Sequence, residues 1–407
     1  MSAAISDPLS ASSASWAQRG RKAFLFTANR PEPAFVRGEG MYLRDESDRR
    51  FLDFVAGWAV CSLGHGPAAV REALARQSGE LIHSSPGYWN RPAIELAERL
   101  GSLSGLSKAF LGTTGAEANE CAIKLARKHG ERNLAGAFQV VCATNGFHGR
   151  TLATMSATGK SAWRGLFEPK VPGFVHVPYN DADALSRAVE AEPTCAVLFE
   201  TVQGEGGAIP ATTEFVQAAR ELCDRHGALL MLDEVQAGMG RCGRLFAFQR
   251  HGILPDVLTL GKGLGSGVPV SACLTRPEFD IFEPGDQGGT YTFSPLGAAV
   301  GLSVLTEIVE RDLPAHAEAM GVLVREALAR LSKRFGLSGL RGQGLLLAVD
   351  LPRPCAPEVV AAALDKGLLV NAPRPATLRF MPPLILEKEH VDEMEAKLAR
   401  ALERVLS

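Results

Sequence analysis

Leu258-Thr-Leu-Gly-Lys262-Gly-Leu-Gly-Ser-Gly267 begins as an apolar run, Val257 to Leu260, and ends as a glycine-rich turn. The run reads as a strand buried on both faces. The turn presents one lysine at the strand's carboxyl end. An amine there is costly to bury unless it has a task, and condensation with an aldehyde is one such task. The alternative is a lysine snorkelling out of a loop. Upstream, Leu230-Met-Leu-Asp233-Glu-Val-Gln236 closes an equally apolar run with an aspartate. If the two strands are neighbours and parallel, Asp233 and Lys262 share one rim and bracket one flat ligand. That rim is where open α/β sheets bind their ligands.

Working outward, short apolar strands alternate with helical patterns. Strands are expected at Gln139 to Cys142, Ala196 to Thr201, Leu229 to Asp233, Val257 to Leu260 and Val270 to Leu274. Helices are expected after Pro67, near Pro92, after Thr114 with the stripe Ala118, Cys121, Ala122, Leu125 and Ala126, and from Thr213 to His226. This alternation predicts an α/β layer structure with a mixed, mostly parallel sheet flanked by helices. After Pro295 the pattern changes to a long helical region toward Arg334 with a break at Pro314. Short strands and a terminal helix, Glu387 to Leu406, follow. That tail reads as a small α+β domain, joined by an amino-terminal hairpin around Tyr42 and Arg50 to Phe54. The expected division is 1–56 and 306–407 in the small domain and 57–305 in a large cofactor-binding domain.

The 407 residues suffice for a large core and two domains. Hydrophobic residues make up 46%, charged residues 22%, and the net charge is −2, which gives no general pull toward nucleic acid or anionic membrane. The 8 cysteines form no CxxC pair and no cysteine–histidine cluster, so free thiols in a reducing, cytoplasmic setting are expected, with no metal site. Met1 to Ser15 reads as a mobile tail, not a secretory signal. No apolar stretch approaches the roughly 20 residues of a membrane span.

Several turns carry donors and charges. Thr113-Thr-Gly-Ala-Glu117 precedes a helix, so its free amides and hydroxyls suit a phosphate; plain N-capping is the alternative. Asn145-Gly-Phe-His-Gly-Arg150 offers Phe147 or His148 as a stacking ring and Arg150 as a carboxylate clamp. Glu200-Thr-Val-Gln203-Gly-Glu205 places carboxylates on a turn after a strand. Asp233 could hold a pyridine nitrogen protonated, with Val235 against the ring face.

Together TGAEANE, FHGR, QGEGG, LDEVQ and TLGKGLG, in this order and at these intervals, resemble the class III pyridoxal-phosphate-dependent aminotransferases of fold type I. The acetylornithine and ornithine aminotransferase group is the most similar. The resemblance runs from about Phe24 to Val405. It implies Lys262 as the Schiff-base lysine, Asp233 as partner of the ring nitrogen, and Gln236 near the ring hydroxyl. It also implies Thr114, Gly115 and Ala116 at the phosphate, Phe147 stacked on the ring with His148 beside it, and Glu200 among the cofactor-binding residues. Thr290 would reach the phosphate of a neighbouring subunit, hence a homodimer with shared sites. For substrate, it implies Arg379 on the α-carboxylate of glutamate or 2-oxoglutarate, Glu205 masking that arginine, and Arg150 on a second carboxylate.

The chain departs from that pattern at Ala116, where serine or threonine is usual, at Thr201, where proline is common, and at Ser294, where asparagine is usual. Trp58 stands where acetylornithine enzymes carry isoleucine and ornithine enzymes tyrosine. The expected reaction moves an ω-amino group from an acetylornithine-like donor to 2-oxoglutarate, giving glutamate and a semialdehyde. Other expectations are an ω-transaminase for 4-aminobutyrate, β-alanine or a diamine, with pyruvate as a possible acceptor, and a non-catalytic relative of the same fold.

Overall fold

The computed structural model describes residues 15–406. The tail expected over Met1 to Ser15 lies outside the described residues except for Ser15, which caps the helix Trp16–Ala23.

A seven-stranded sheet carries the rim predicted from the sequence. Its order is Lys108–Gly112, Ser271–Thr275, Val257–Leu260, Leu229–Asp233, Thr194–Glu200, Gln139–Ala143 and Phe174–Val177. The three central strands are buried along their whole length. Alternate side chains serve opposite faces. Leu230, Leu232 and Leu258 pack with Phe215, Ala219 and Leu222 of the helix Thr213–His226. Leu229, Met231 and Val257 pack with Ala118, Cys121 and Ala122 of the helix Gly115–Asn133. Each such side chain contributes about 1.5–3 kcal/mol by leaving water, so two-sided burial fixes the register firmly.

All neighbours in this sheet are parallel except Ser271–Thr275, which runs antiparallel to both Val257–Leu260 and Lys108–Gly112. Its bounds lie one residue beyond the expected Val270 to Leu274. Only the glycine-rich turn and a few residues separate it from Val257–Leu260, too little chain for the crossover that a parallel partner needs. The long helical region is two helices, Pro295–Glu310 and Leu313–Phe335. They break at Asp312, which has a left-handed backbone, while Pro314 sits in the second helix's first turn, a position that tolerates it.

Besides a two-stranded ribbon of Val202–Gln203 and Ile209–Pro210, two four-stranded sheets are found among the described residues. One joins Phe35–Glu39, Tyr42–Asp45 and Arg50–Asp53 with Leu368–Leu369, so strands from both ends of the chain share it. The other, antiparallel, orders Ser338–Gln343, Leu346–Asp350, Thr377–Phe380 and Asn371–Arg374. Among the described residues no helix is long and apolar enough to cross a membrane.

Candidate active site

Asp233 ends its strand beside Thr259 of the adjacent parallel strand, which stops at Leu260, so Lys262 stands two residues past that end, on the same rim. The aspartate is 3% exposed and held by three donors. Its Oδ2 accepts from Asn119 Nδ2 and His148 Nδ1, both at 2.8 Å, and its Oδ1 accepts from Val235 N at 3.0 Å. Three donors hold the charge and still leave lone pairs on Oδ1 free to face a ligand. Burial disfavours charge on His148, but the hydrogen bond and the charge of Asp233 outweigh it and raise the imidazole pKa. His148 Nε2 is buried with no partner among the described residues.

Asn119 supplies what the sequence reading missed. Its amide also donates to His148 O at 2.8 Å, and its carbonyl accepts from Thr259 Oγ1 at 2.7 Å. One side chain thus ties the helix Gly115–Asn133 to two strands and to the Phe147-His148 turn. A buried asparagine on an otherwise apolar helix stripe needs such partners, and it stands inside the quoted TGAEANE motif.

Lys262 is half-buried, and its amine has no hydrogen-bond or ion-pair partner among the described residues. Burial lowers its pKa, opposed in part by Asp233, Glu200 and Glu205. Glu200, 5% exposed, accepts from Phe147 N at 2.8 Å and Gly204 N at 3.3 Å. Burial lifts its carboxyl to about 7 against the charge of His148.

The helix after Thr114 is capped by its own sequence. Thr114 Oγ1 accepts from Glu117 N, and the Glu117 carboxylate accepts from the amides of Thr113 and Thr114 at 2.9 Å. The two threonines therefore take part in the helix cap. The amides of Gly115 and Ala116, at the first helical positions, have no acceptor within the helix and remain for an anion. Gly115 sits against Val235 so closely that a Cβ would lie 2.5 Å from Val235 Cγ1. Helix start, Val235 and the strand end thus converge at van der Waals contact.

Of the two candidate rings, His148 is occupied edge-on by Asp233, leaving Phe147. The Phe147 ring meets Trp163 at 5.7 Å between centroids, and Lys160 lies 5.0 Å over it. Arg150 is exposed, stacked 4.8 Å over Trp163, and has no ion-pair partner among the described residues.

Arg379 is 0% exposed on the strand Thr377–Phe380. Its Nη2 donates to Glu205 Oε1 and to Asn371 Oδ1 at 2.7 Å, its Nε to Asn371 Oδ1 at 3.0 Å, and its Nη1 to Gln236 Oε1 at 3.4 Å. The second oxygen of Glu205 accepts from Lys160 Nζ at 2.8 Å. Burial would raise the Glu205 pKa, but Arg379 and Lys160 lower it to about 2.

Gln236 Nε2 reaches Trp58 O at 3.3 Å. The Trp58 side chain is 55% exposed and its backbone is left-handed, φ 63°. Thr290 stands apart: it is exposed, its carbonyl accepts from His83 at 2.8 Å, and no hydrogen bond joins it to the rest of the set among the described residues.

Residues 27–402 match the family model described as aminotransferase class-III. The chain is a class III aminotransferase. Acetylornithine aminotransferase 2 of Bordetella bronchiseptica is 49% identical to it over 379 residues, 92% of this chain and 94% of that relative. Among solved structures, N-acetylornithine aminotransferase from Stenotrophomonas maltophilia superposes with TM-score 0.81 at 35% identity, covering 92% and 97% of the two chains. Ornithine aminotransferase from Toxoplasma gondii, described with PLP at its active site, reaches TM-score 0.91 at 30% identity, covering 95% and 94%. The aminotransferase therefore has the fold type I architecture, depends on pyridoxal phosphate, and acts on an amino donor and a 2-oxo acid. The residues on the rim fit that cofactor: a partnerless amine, a buried carboxylate with a free lone pair, and open helix amides stand around one glycine-lined cradle.

Proposed function

We propose that this aminotransferase moves the ω-amino group of an acetylornithine-like donor to 2-oxoglutarate, giving glutamate and a semialdehyde. The donor's CH–NH2 becomes a carbonyl as the acceptor's carbonyl becomes CH–NH2. The observation that carries this reading is Arg379 buried at 0% exposure with Glu205 seated on it. A fixed guanidinium is a receptor for an α-carboxylate, and a movable carboxylate on it lets the same pocket hold a donor that presents only its amine.

Pyridoxal phosphate supplies the aldehyde that takes up the amino group and the ring that draws electrons from the reacting carbon. The open amides of Gly115 and Ala116, with Thr114, would hold its phosphate. Asp233 would face its ring nitrogen, Gln236 its ring hydroxyl, and Val235 and Phe147 its two faces, with His148 and Glu200 behind. Lys262 Nζ takes the proton from the donor's amine-bearing carbon in one half-reaction and delivers a proton to the acceptor's former carbonyl carbon in the other. Burial suits it to that work by lowering its pKa. Arg150 holds the distal carboxylate of donor or acceptor.

Trp58 favours a second reading within the family. An indole where smaller side chains are usual suits a different donor, such as 4-aminobutyrate, β-alanine or a diamine, with pyruvate as possible acceptor. A donor screen with 2-oxoglutarate, following glutamate formation, separates the two. Acetylornithine is expected to turn over fastest, and Lys262→Ala to lose about 100- to 10,000-fold in rate. Turnover with pyruvate and never with 2-oxoglutarate would refute the acceptor assignment.

The same reading makes the enzyme a homodimer, Thr290 reaching the partner's site. The loop around Thr290 packs on the loop around His83, and between them they leave Tyr88 74%, Trp89 92% and Tyr291 67% exposed. Aromatic surface on this scale is what a second copy would cover. The large domain, 57–305, and the small one, from both chain ends, would then frame a site shared between copies.

A further inference from the structure

We propose that Lys160 is a second anchor for Glu205, a positioning residue that lets this carboxylate leave Arg379 without becoming unpaired and so sets the affinity for the dicarboxylate acceptor. The inference rests on the reading of Arg379 as the α-carboxylate site.

Glu205 bridges two cations, one on each oxygen: Arg379 at 2.7 Å and Lys160 at 2.8 Å. The two cations differ in how they are held. Arg379 is locked by Asn371 through two nitrogens and stays put whether or not Glu205 is there. Lys160 lies over the Phe147 and Trp163 rings at 5.0 and 5.3 Å, and its side chain is 24% exposed. It is a cation on a flexible stem that can follow its partner.

The backbone that delivers Lys160 is fixed. Gly159 bridges to Thr144, its carbonyl accepts from Asn145 N at 2.9 Å, and its amide donates to Gly146 O at 3.2 Å. A Cβ at Gly159 would lie 2.4 Å from Ala143 O, so only glycine allows this approach. The turn that presents Phe147 therefore also presents Lys160.

When an α-carboxylate takes the Arg379 fork, Glu205 must give up one of its two contacts. With Lys160 on the other oxygen, it leaves one ion pair and keeps one. Without Lys160 it would be a lone carboxylate in a largely buried site, and it would hold Arg379 more tightly instead. Lys160 therefore eases unmasking, which only the dicarboxylate requires.

The test uses holoenzyme variants titrated calorimetrically with glutarate, an unreactive five-carbon dicarboxylate, alongside stopped-flow measurement of each half-reaction. Lys160→Met is expected to weaken glutarate about tenfold, more than it raises the apparent KM for the donor, and Lys160→Arg to restore most of the affinity. In a Glu205→Ala background, where nothing masks Arg379, Lys160→Met is expected to change glutarate binding less than about twofold. An equal loss in both backgrounds would show that Lys160 meets the ligand itself and overturn the proposal. Unchanged or tighter glutarate binding in Lys160→Met alone would show that the lysine holds the mask shut, and would overturn it too. Arg379→Ala separates this from failure of the underlying reading: if glutarate binds that variant normally, the carboxylate site lies elsewhere.

Discussion

Glu205 combines burial, two cationic partners and a pKa near 2, which ties its charge to the stability of the fold as well as to substrate choice. Its folded-state pKa lies below the ordinary carboxyl value of 4.5, so its contribution is complete above that value and disappears as pH falls toward about 2. Urea unfolding of Glu205→Gln and the parent enzyme across this window is the check. The parent is expected to lose on the order of 2 kcal/mol more than the variant between pH 5 and 2. Parallel curves would mean that the ion pairs add nothing net to folding. Asp233 and Lys262 were legible in the sequence because each ends an unmistakably apolar run, and strand ends define a rim. Asn119 was legible in principle, as a polar residue on an apolar stripe. Lys160 was not: it lies in an irregular segment without periodicity, and its partner is far away in sequence.

At the level of elements, the turns matter more than the strands. The central strands follow from composition alone, since runs of leucine, valine and methionine without proline or glycine have few other places to go. Strand direction did not follow. Nothing in Ser271–Thr275 marks it as antiparallel except the shortness of the connection before it. Likewise, helical periodicity showed that a helix follows Thr114, but not that Glu117 would occupy the threonine donors. The Gly159 turn gives the prediction at this scale. Gly159→Ala places a methyl against the Ala143 carbonyl, a backbone atom that cannot step aside. Thermal unfolding should show a loss of about 1–3 kcal/mol. Glutarate affinity should fall with it as Lys160 is displaced; a variant with parental stability and affinity would mean that the turn relaxes freely.

For the whole molecule, the exposed aromatics at Tyr88, Trp89 and Tyr291 set the expectation of a dimer. On the proposed dimer, sedimentation of Trp89→Glu should show monomers at concentrations where the parent sediments as a dimer, with activity lost in proportion if Thr290 serves a partner site as proposed. A fully dimeric variant with unchanged activity would place the interface elsewhere. Exposure of this kind is invisible in a sequence, where a buried tryptophan and an exposed one read alike.

The pairing of Leu368–Leu369 with Arg50–Asp53 also sets a schedule. The first strands leave the ribosome roughly 300 residues before their last partner, an interval of about 15–60 s at about 5–20 residues per second. Through that interval the early hairpin has one edge uncovered, so the nascent chain must carry it unfinished while the central sheet forms. Arrested chains that stop short of Leu368 should therefore be cut by protease near Arg50, and released full-length chains should resist; equal resistance would mean that the hairpin stands without its late strand.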